Sequence, residues 1–245
     1  MPSSTHFPWS EGELDARVRV AILEYWSART GQAQRQMDGG EILDAGSRSE
    51  VTGGQHLNAF CTLICELIGQ AGFGESDLRF RSGVELPGFF RPLKKWDIVV
   101  VRGGRLCAAI EMKSQVGSSF GNNFNNRTEE AVGSSTDFWL AFREGLIGTQ
   151  QPWLGYFFLL EDIVASTRPV GLARSSFAPD VIFMGTSYAQ RYEILCRRMV
   201  LERNYSAASL LMSTRGITGE YREPSEDLGL TQFLRSLYGH LIGCV

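Results

Sequence analysis

The chain has 245 residues, 43% of them hydrophobic, with 24 Lys and Arg against 27 Asp and Glu and a formal net charge of −3. That suits one large globular domain or two small ones, and no apolar run reaches the ~18 residues of a membrane span. The N-terminal ten residues lack the basic start and apolar core of a secretory signal, and the acidic total by itself argues against a nucleic-acid partner.

Ser10 and Glu13 form a capping box, which opens a helix. Leu14, Val18, Ala21, Ile22 and Tyr25 continue it at helical spacing, and Gly31 should end it. Residues 32–54 are polar and Gly-rich and read as mostly loop. A second helix is expected from about Gln55 to Gln70, with Leu57, Phe60, Cys61, Ile64, Leu67 and Ile68 as its apolar stripe and Glu66 on the opposite side. Arg79 to Leu86 alternates and stops at Pro87-Gly88, as a strand would.

The stretch from Trp96 to Lys113 then reads as a hairpin, two β-rich runs around Gly103-Gly104. Asp97 opens the first run. Glu111 and Lys113 close the second, two residues apart and therefore on one face, with Ile110 and Met112 on the other. A plain two-residue turn would pair Asp97 with Ile110 and turn Asp97 away from Glu111. For Asp97 to join them, the loop must be odd in length or a strand must bulge; a three-residue loop with a left-handed Gly makes such a bulge.

Ser114 to Asn126 is rich in Gly, Ser and Asn and reads as a loop. Asn126 and Glu129 suit the cap of a helix running to about Glu144. Trp153 to Leu160 is a continuous apolar run of strand length, fit for a buried strand. A strand near Val181–Met184, a helix at about Ser187–Arg203, a strand near Ser209–Ser213 and a helix from about Glu226 to Tyr238 complete the chain. Five scattered cysteines, odd in number and without a Cys-x-x-Cys, suggest reduced thiols in a cytoplasmic protein. The three histidines show no zinc-ligand spacing.

Two carboxylates can hold a hard divalent cation such as Mg²⁺, and Lys113 can orient a water or offset developing charge. A solvated hairpin with cross-strand ion pairs is the plainer alternative. The charge distribution bears on the choice. From Asp77 to Arg127 there are nine Lys or Arg against four Asp or Glu, a net of +5, which leaves −8 for the rest. A phosphate-binding groove would carry such an excess.

Asp97, Glu111 and Lys113 on adjacent strands resemble the active site of restriction-endonuclease-like nucleases. The element order helix, three strands, helix, strand matches their core. The fold expected is therefore α/β, a mixed β-sheet flanked by helices (αβββαβ) with N- and C-terminal helical additions, in a single domain over 1–245 with its catalytic core at about 54–160. More narrowly, the chain resembles the XhoI-type type II restriction endonucleases in three stretches: residues 86–100 around Trp96-Asp97, residues 111–130 from Glu111 to Glu130, and residues 200–211.

The resemblance implies a Mg²⁺-dependent homodimer that hydrolyses double-stranded DNA at a palindromic hexamer, CTCGAG cut after the first C, leaving 5′-phosphates. It implies metal ligation by Asp97, Glu111 and the Met112 backbone carbonyl. It also suggests a further acidic ligand, for which Glu66 and Glu50 are the candidates, Glu66 with a solvent-facing alternative. Beside the site, Gln115, Asn122, Asn123, Asn125, Asn126 and Arg127 can contact bases or phosphates; capping and turn-making are the alternative for the Asn residues. A repair or structure-specific nuclease of the same fold, and a DNA-binding protein with a vestigial site, are the competing readings.

Overall fold

The Ser10–Glu13 capping box is formed: Glu13 N–H donates to Ser10 Oγ (3.3 Å) and the Ser10 N–H donates to Glu13 Oε2 (2.8 Å). It starts α1 (Glu11–Asp38), which runs through Gly31 instead of stopping there. The structure is a computed structural model describing residues 6–38, 56–117 and 119–245. Helix α2 (Asn58–Gln70) buries Phe60, Cys61, Ile64, Leu67 and Ile68, the stripe expected of it.

The run expected as one strand from Arg79 to Leu86 is two. β1 (Leu78–Phe80) joins the main sheet, and β2 (Glu85–Pro87) pairs with β3 (Leu93–Lys95) in a separate hairpin. Arg81 (φ 69°) and Gly83 (φ 66°) are both left-handed, so the chain turns between them and the alternation is broken.

β4 (Ile98–Arg102) and β5 (Arg105–Gln115) form the hairpin around Gly103-Gly104. Helix α3 (Phe120–Arg143) and β6 (Trp153–Glu161) follow. After the short α4 (Val164–Thr167) come α5 (Tyr188–Leu201), β7 (Ala207–Ser213), β8 (Tyr221–Arg222) and α6 (Leu230–Ile242). The sheet order is β1-β4-β5-β6-β7-β8. β4 is antiparallel to β1 and β5, β6 is parallel to β5 and β7, and β8 is antiparallel to β7. The sheet is mixed and flanked by helices, as expected, with the β2–β3 hairpin inserted in the expected order.

Each face of the sheet has its own core. On one, Ile98, Val100, Ala108, Ile110 and Met112 pack with α1, α2 and α6. On the other, Val99, Leu106 and Ala109 pack with α3, α5 and the β2–β3 hairpin. β6, buried at every residue, is covered on both faces, which is why its sequence is a continuous apolar run.

Two other expectations fail. Val181–Phe183 is a 3₁₀ turn, not a strand; the Asp180 carboxylate caps it by accepting from the Ile182 N–H (3.2 Å), and Val181 and Ile182 are exposed. The last helix starts at Leu230 after a 3₁₀ turn at Glu226–Leu228. There the Glu223 carboxylate accepts from the Leu230 N–H (2.8 Å).

Candidate active site

Gly103 (φ 57°) and Gly104 (φ 77°) are both left-handed, as a two-residue turn with reversed hand requires. The pairing starts at Arg102↔Arg105 and Val101↔Leu106, then jumps to Val100↔Ala108. Cys107 is therefore the extra residue of a bulge on β5. Cys107 and Ala108 consecutively face the same core. The bulge shifts the register by one, so Ile98 pairs with Ile110. Asp97 then lies opposite Glu111, on the face carrying Lys113. Of the two ways this could be met, the chain uses the bulged strand and not the longer loop.

Asp97 is fixed through its backbone and its side chain. Its N–H donates to the Ile110 carbonyl (3.0 Å), and its Oδ2 accepts from the Met112 N–H (2.7 Å). The N–H and C=O of one strand residue leave the strand on the same side, so the Met112 carbonyl projects towards Asp97 as well. Glu111 is buried between two ammonium groups: Lys113 Nζ lies 2.5 Å from Oε1 and Lys94 Nζ 2.5 Å from Oε2.

The two carboxyls are driven apart in acidity. Burial, reinforced by the Glu111 charge, raises Asp97 to about 6. Burial also pushes Glu111 upward, but Lys113 and Lys94 outweigh it and hold that carboxyl down at about 2. Burial works to lower Lys113, and Glu111 more than reverses that, raising it. Asp97 thus holds its proton to higher pH than an ordinary carboxyl, while Glu111 stays ionised. Such separated pairs are characteristic of functional sites.

A family model described as restriction endonuclease XhoI matches residues 35–223. The chain is 46% identical over 206 residues to the type II restriction enzyme BstVI of Geobacillus stearothermophilus, a match covering 81% of this chain and 92% of that protein. The chain belongs to the XhoI restriction endonuclease family. It is also 38% identical over 193 residues to the type II restriction enzyme XhoI of Xanthomonas vasicola, covering 78% of this chain and 77% of that one. The type II restriction enzyme AbrI of Azospirillum brasilense is 39% identical over 158 residues, 64% of this chain and 70% of that protein. No solved structure matches the chain.

The family match spans Lys94, which sequence reasoning missed. It lies on β3, outside the main sheet, and nothing local in Leu-Lys-Lys-Trp marks one lysine as inward. Lys94 is buried, sits over the Trp96 ring (4.2 Å to the centroid) and reaches Glu111. Leu93 and Lys95 are exposed on either side of Lys94, an alternation seen in the fold and not in the sequence Leu-Lys-Lys.

The residues expected to meet DNA do not form a loop. Gln115 is the last residue of β5 and buried; its Oε1 accepts from the Tyr192 hydroxyl, and its Nε2 has no hydrogen-bond partner among the described residues. Helix α3 begins at Phe120, six residues ahead of the expected Asn126 cap. Phe120 stacks on Tyr188 (5.8 Å) and Phe124 meets Tyr192 edge-on (5.1 Å). These tertiary contacts overcome the poor helix propensity of Gly and Asn in the first turns. Asn122, Asn123, Asn125 and Asn126 are therefore helical, with Asn122, Asn125 and Asn126 exposed. Arg127 pairs with Glu130 one turn on.

Glu66 is not brought to the site. It is half-exposed on the outer side of α2 and pairs with Arg17 of α1. Glu50 lies outside the described residues. The basic segment is also divided. Arg102 and Arg105 flank the glycine turn, at the opposite end of the hairpin from Asp97, whereas Arg91, Lys94, Lys95, Lys113 and Arg127 belong to the elements around the site.

Proposed function

We propose that this chain is a type II site-specific deoxyribonuclease that hydrolyses phosphodiester bonds in double-stranded DNA. The observation that carries the reading is the Cys107 bulge, which sets Asp97 opposite Glu111 on the face of Lys113. Without it, two carboxylates and an ammonium would lie on opposite faces of the sheet.

The donor set fits Mg²⁺, which takes oxygen ligands and keeps several waters. Asp97, Glu111 and the Met112 carbonyl would hold it, and Glu111 must first release one of its two lysines. Bound there, the ion would polarise a phosphoryl oxygen and lower the pKa of a water. Lys113 orients the attacking water and offsets charge developing on the phosphate. The exposed asparagines of α3 would enter a groove, and Arg127 would lie against the backbone.

The finer terms rest on the family resemblance: a palindromic hexamer, CTCGAG cut after the first C, with 5′-phosphate ends, acted on by a homodimer in the cytoplasm. A two-fold dimer mirrors the symmetry of a palindrome, one site per strand. The free cysteines suit a reducing compartment, and none of the described helices is long and apolar enough to cross a membrane. Incubating plasmid DNA with the protein and Mg²⁺ and sequencing the ends tests the reaction, the target and the ends. Defined ends at one hexamer are expected; intact plasmid under all conditions would overturn the reading.

A further inference from the structure

The β2–β3 hairpin ends in an exposed aromatic pair. Phe90 is 71% and Phe89 45% exposed, their rings edge-on at 4.9 Å. The turn is held from beneath by Asp137, a buried carboxylate on α3. Asp137 Oδ1 accepts from the N–H of Phe89 (2.8 Å) and of Phe90 (2.7 Å), and Oδ2 pairs with Arg91 (2.9 Å). Gly88 is needed for this close approach, because a Cβ there would lie 2.6 Å from Asp137 Oδ2. A buried carboxylate is costly unless satisfied. Here its partners among the described residues lie in the segment that displays the two rings, so one carboxylate fixes the backbone of the turn.

The tip stands beside the site. Lys94, four residues from Phe90, contacts Glu111, and at ~3.3 Å of backbone per residue the Cα of Phe90 lies within about 13 Å of that of Lys94. Of the hairpin's cations, Lys94 is buried on Glu111 and Lys95 lies across from Glu85, while Arg91, paired with Asp137, keeps about half of its side chain exposed beside the rings. An aromatic tip flanked by an exposed guanidinium suits stacked bases on a phosphate backbone, since apolar side chains can part a base step that basic ones hold in place.

We propose that Phe90, backed by Phe89, is a wedge that inserts at a base step near the scissile bond. This rests on the nuclease reading above. The test uses duplexes carrying the proposed hexamer with 2-aminopurine at successive positions, bound to the full chain in Ca²⁺. Fluorescence should rise several-fold at one position near the cut. Phe90→Ala should lose that rise and bind roughly five- to a hundred-fold more weakly, while Phe90→Leu, still an apolar wedge, should keep the rise. No rise with native protein that cuts the same duplex in Mg²⁺ would overturn the wedge and leave the nuclease standing. So would a rise that persists in Phe90→Ala, or a Phe90→Ala protein whose free oligomeric state changes, which would mark the tip as a subunit contact. Native protein that neither binds nor cuts DNA would overturn both.

Discussion

Replacing Lys94 with Met tests the ion pair that distinguishes this site from a bare pair of carboxylates. At 2.5 Å and an effective dielectric of ~20, the Coulomb attraction to Glu111 is roughly 6–7 kcal/mol. Desolvating an ammonium costs several kcal/mol and offsets most of it. Glu111 keeps Lys113 in the variant, so the full ~3–5 kcal/mol of an orphaned buried charge does not apply. A net loss of about 2 kcal/mol is expected, which lowers Tm by ~4–8 °C in a chain of this size. The same change frees Glu111 Oε2, so the DNA-free protein should bind Mn²⁺ several-fold more tightly, and added metal should restore part of the lost stability. Scanning calorimetry with and without Mn²⁺, together with a direct Mn²⁺ titration, measures both. An unchanged Tm with unchanged Mn²⁺ affinity would show that Lys94 does not hold Glu111 in solution.

Asp97→Asn, Glu111→Gln and Lys113→Met should each reduce plasmid cleavage by at least ~10³-fold, with DNA binding retained in Lys113→Met; near-native cutting by any one removes it from the site. Gln is chosen at Glu111 because Ala would leave Lys94 and Lys113 facing an apolar void. Asp97, raised to about 6, favours folding most when protonated. Its contribution is full below its ordinary pKa near 4 and is lost as pH rises through 6; that of Glu111, held at about 2, is full above 4.5 and is lost as pH falls towards 2. Metal must displace the Asp97 proton, so Mg²⁺ affinity should fall about tenfold per unit below pH 6 with proton release. Calorimetric titrations showing one affinity from pH 5 to 7 would refute that. Asn122→Ala or Asn126→Ala should relax discrimination at one base pair by ~1–3 kcal/mol, whereas Arg127→Ala should weaken binding to all duplexes alike; competition with single-base variants separates the two. Sedimentation at micromolar protein should show a dimer, and monomers alone with and without DNA would exclude the proposed assembly.

The sequence by itself determined what depends on near neighbours. The capping box at Ser10, the stripe of α2 and the continuous burial of β6 are written in spacings of two to four residues, where backbone periodicity acts. Asp97, Glu111 and Lys113 were legible because the need to share a face posed a register condition with few solutions. The tertiary structure alone decided which solution applied, since a bulge at Cys107 changes no local pattern and depends on which residues the two cores accept. It also decided the start of α3, where Tyr188 and Tyr192, over 60 residues away in the chain, hold Phe120 and Phe124 in helix. It turned Gln115 inward onto Tyr192, and it sent Glu66 to Arg17 because α1 packs along α2. Lys94 enters the site from a hairpin outside the main sheet. Such contacts carry no period, because they follow from shape and charge meeting across the fold.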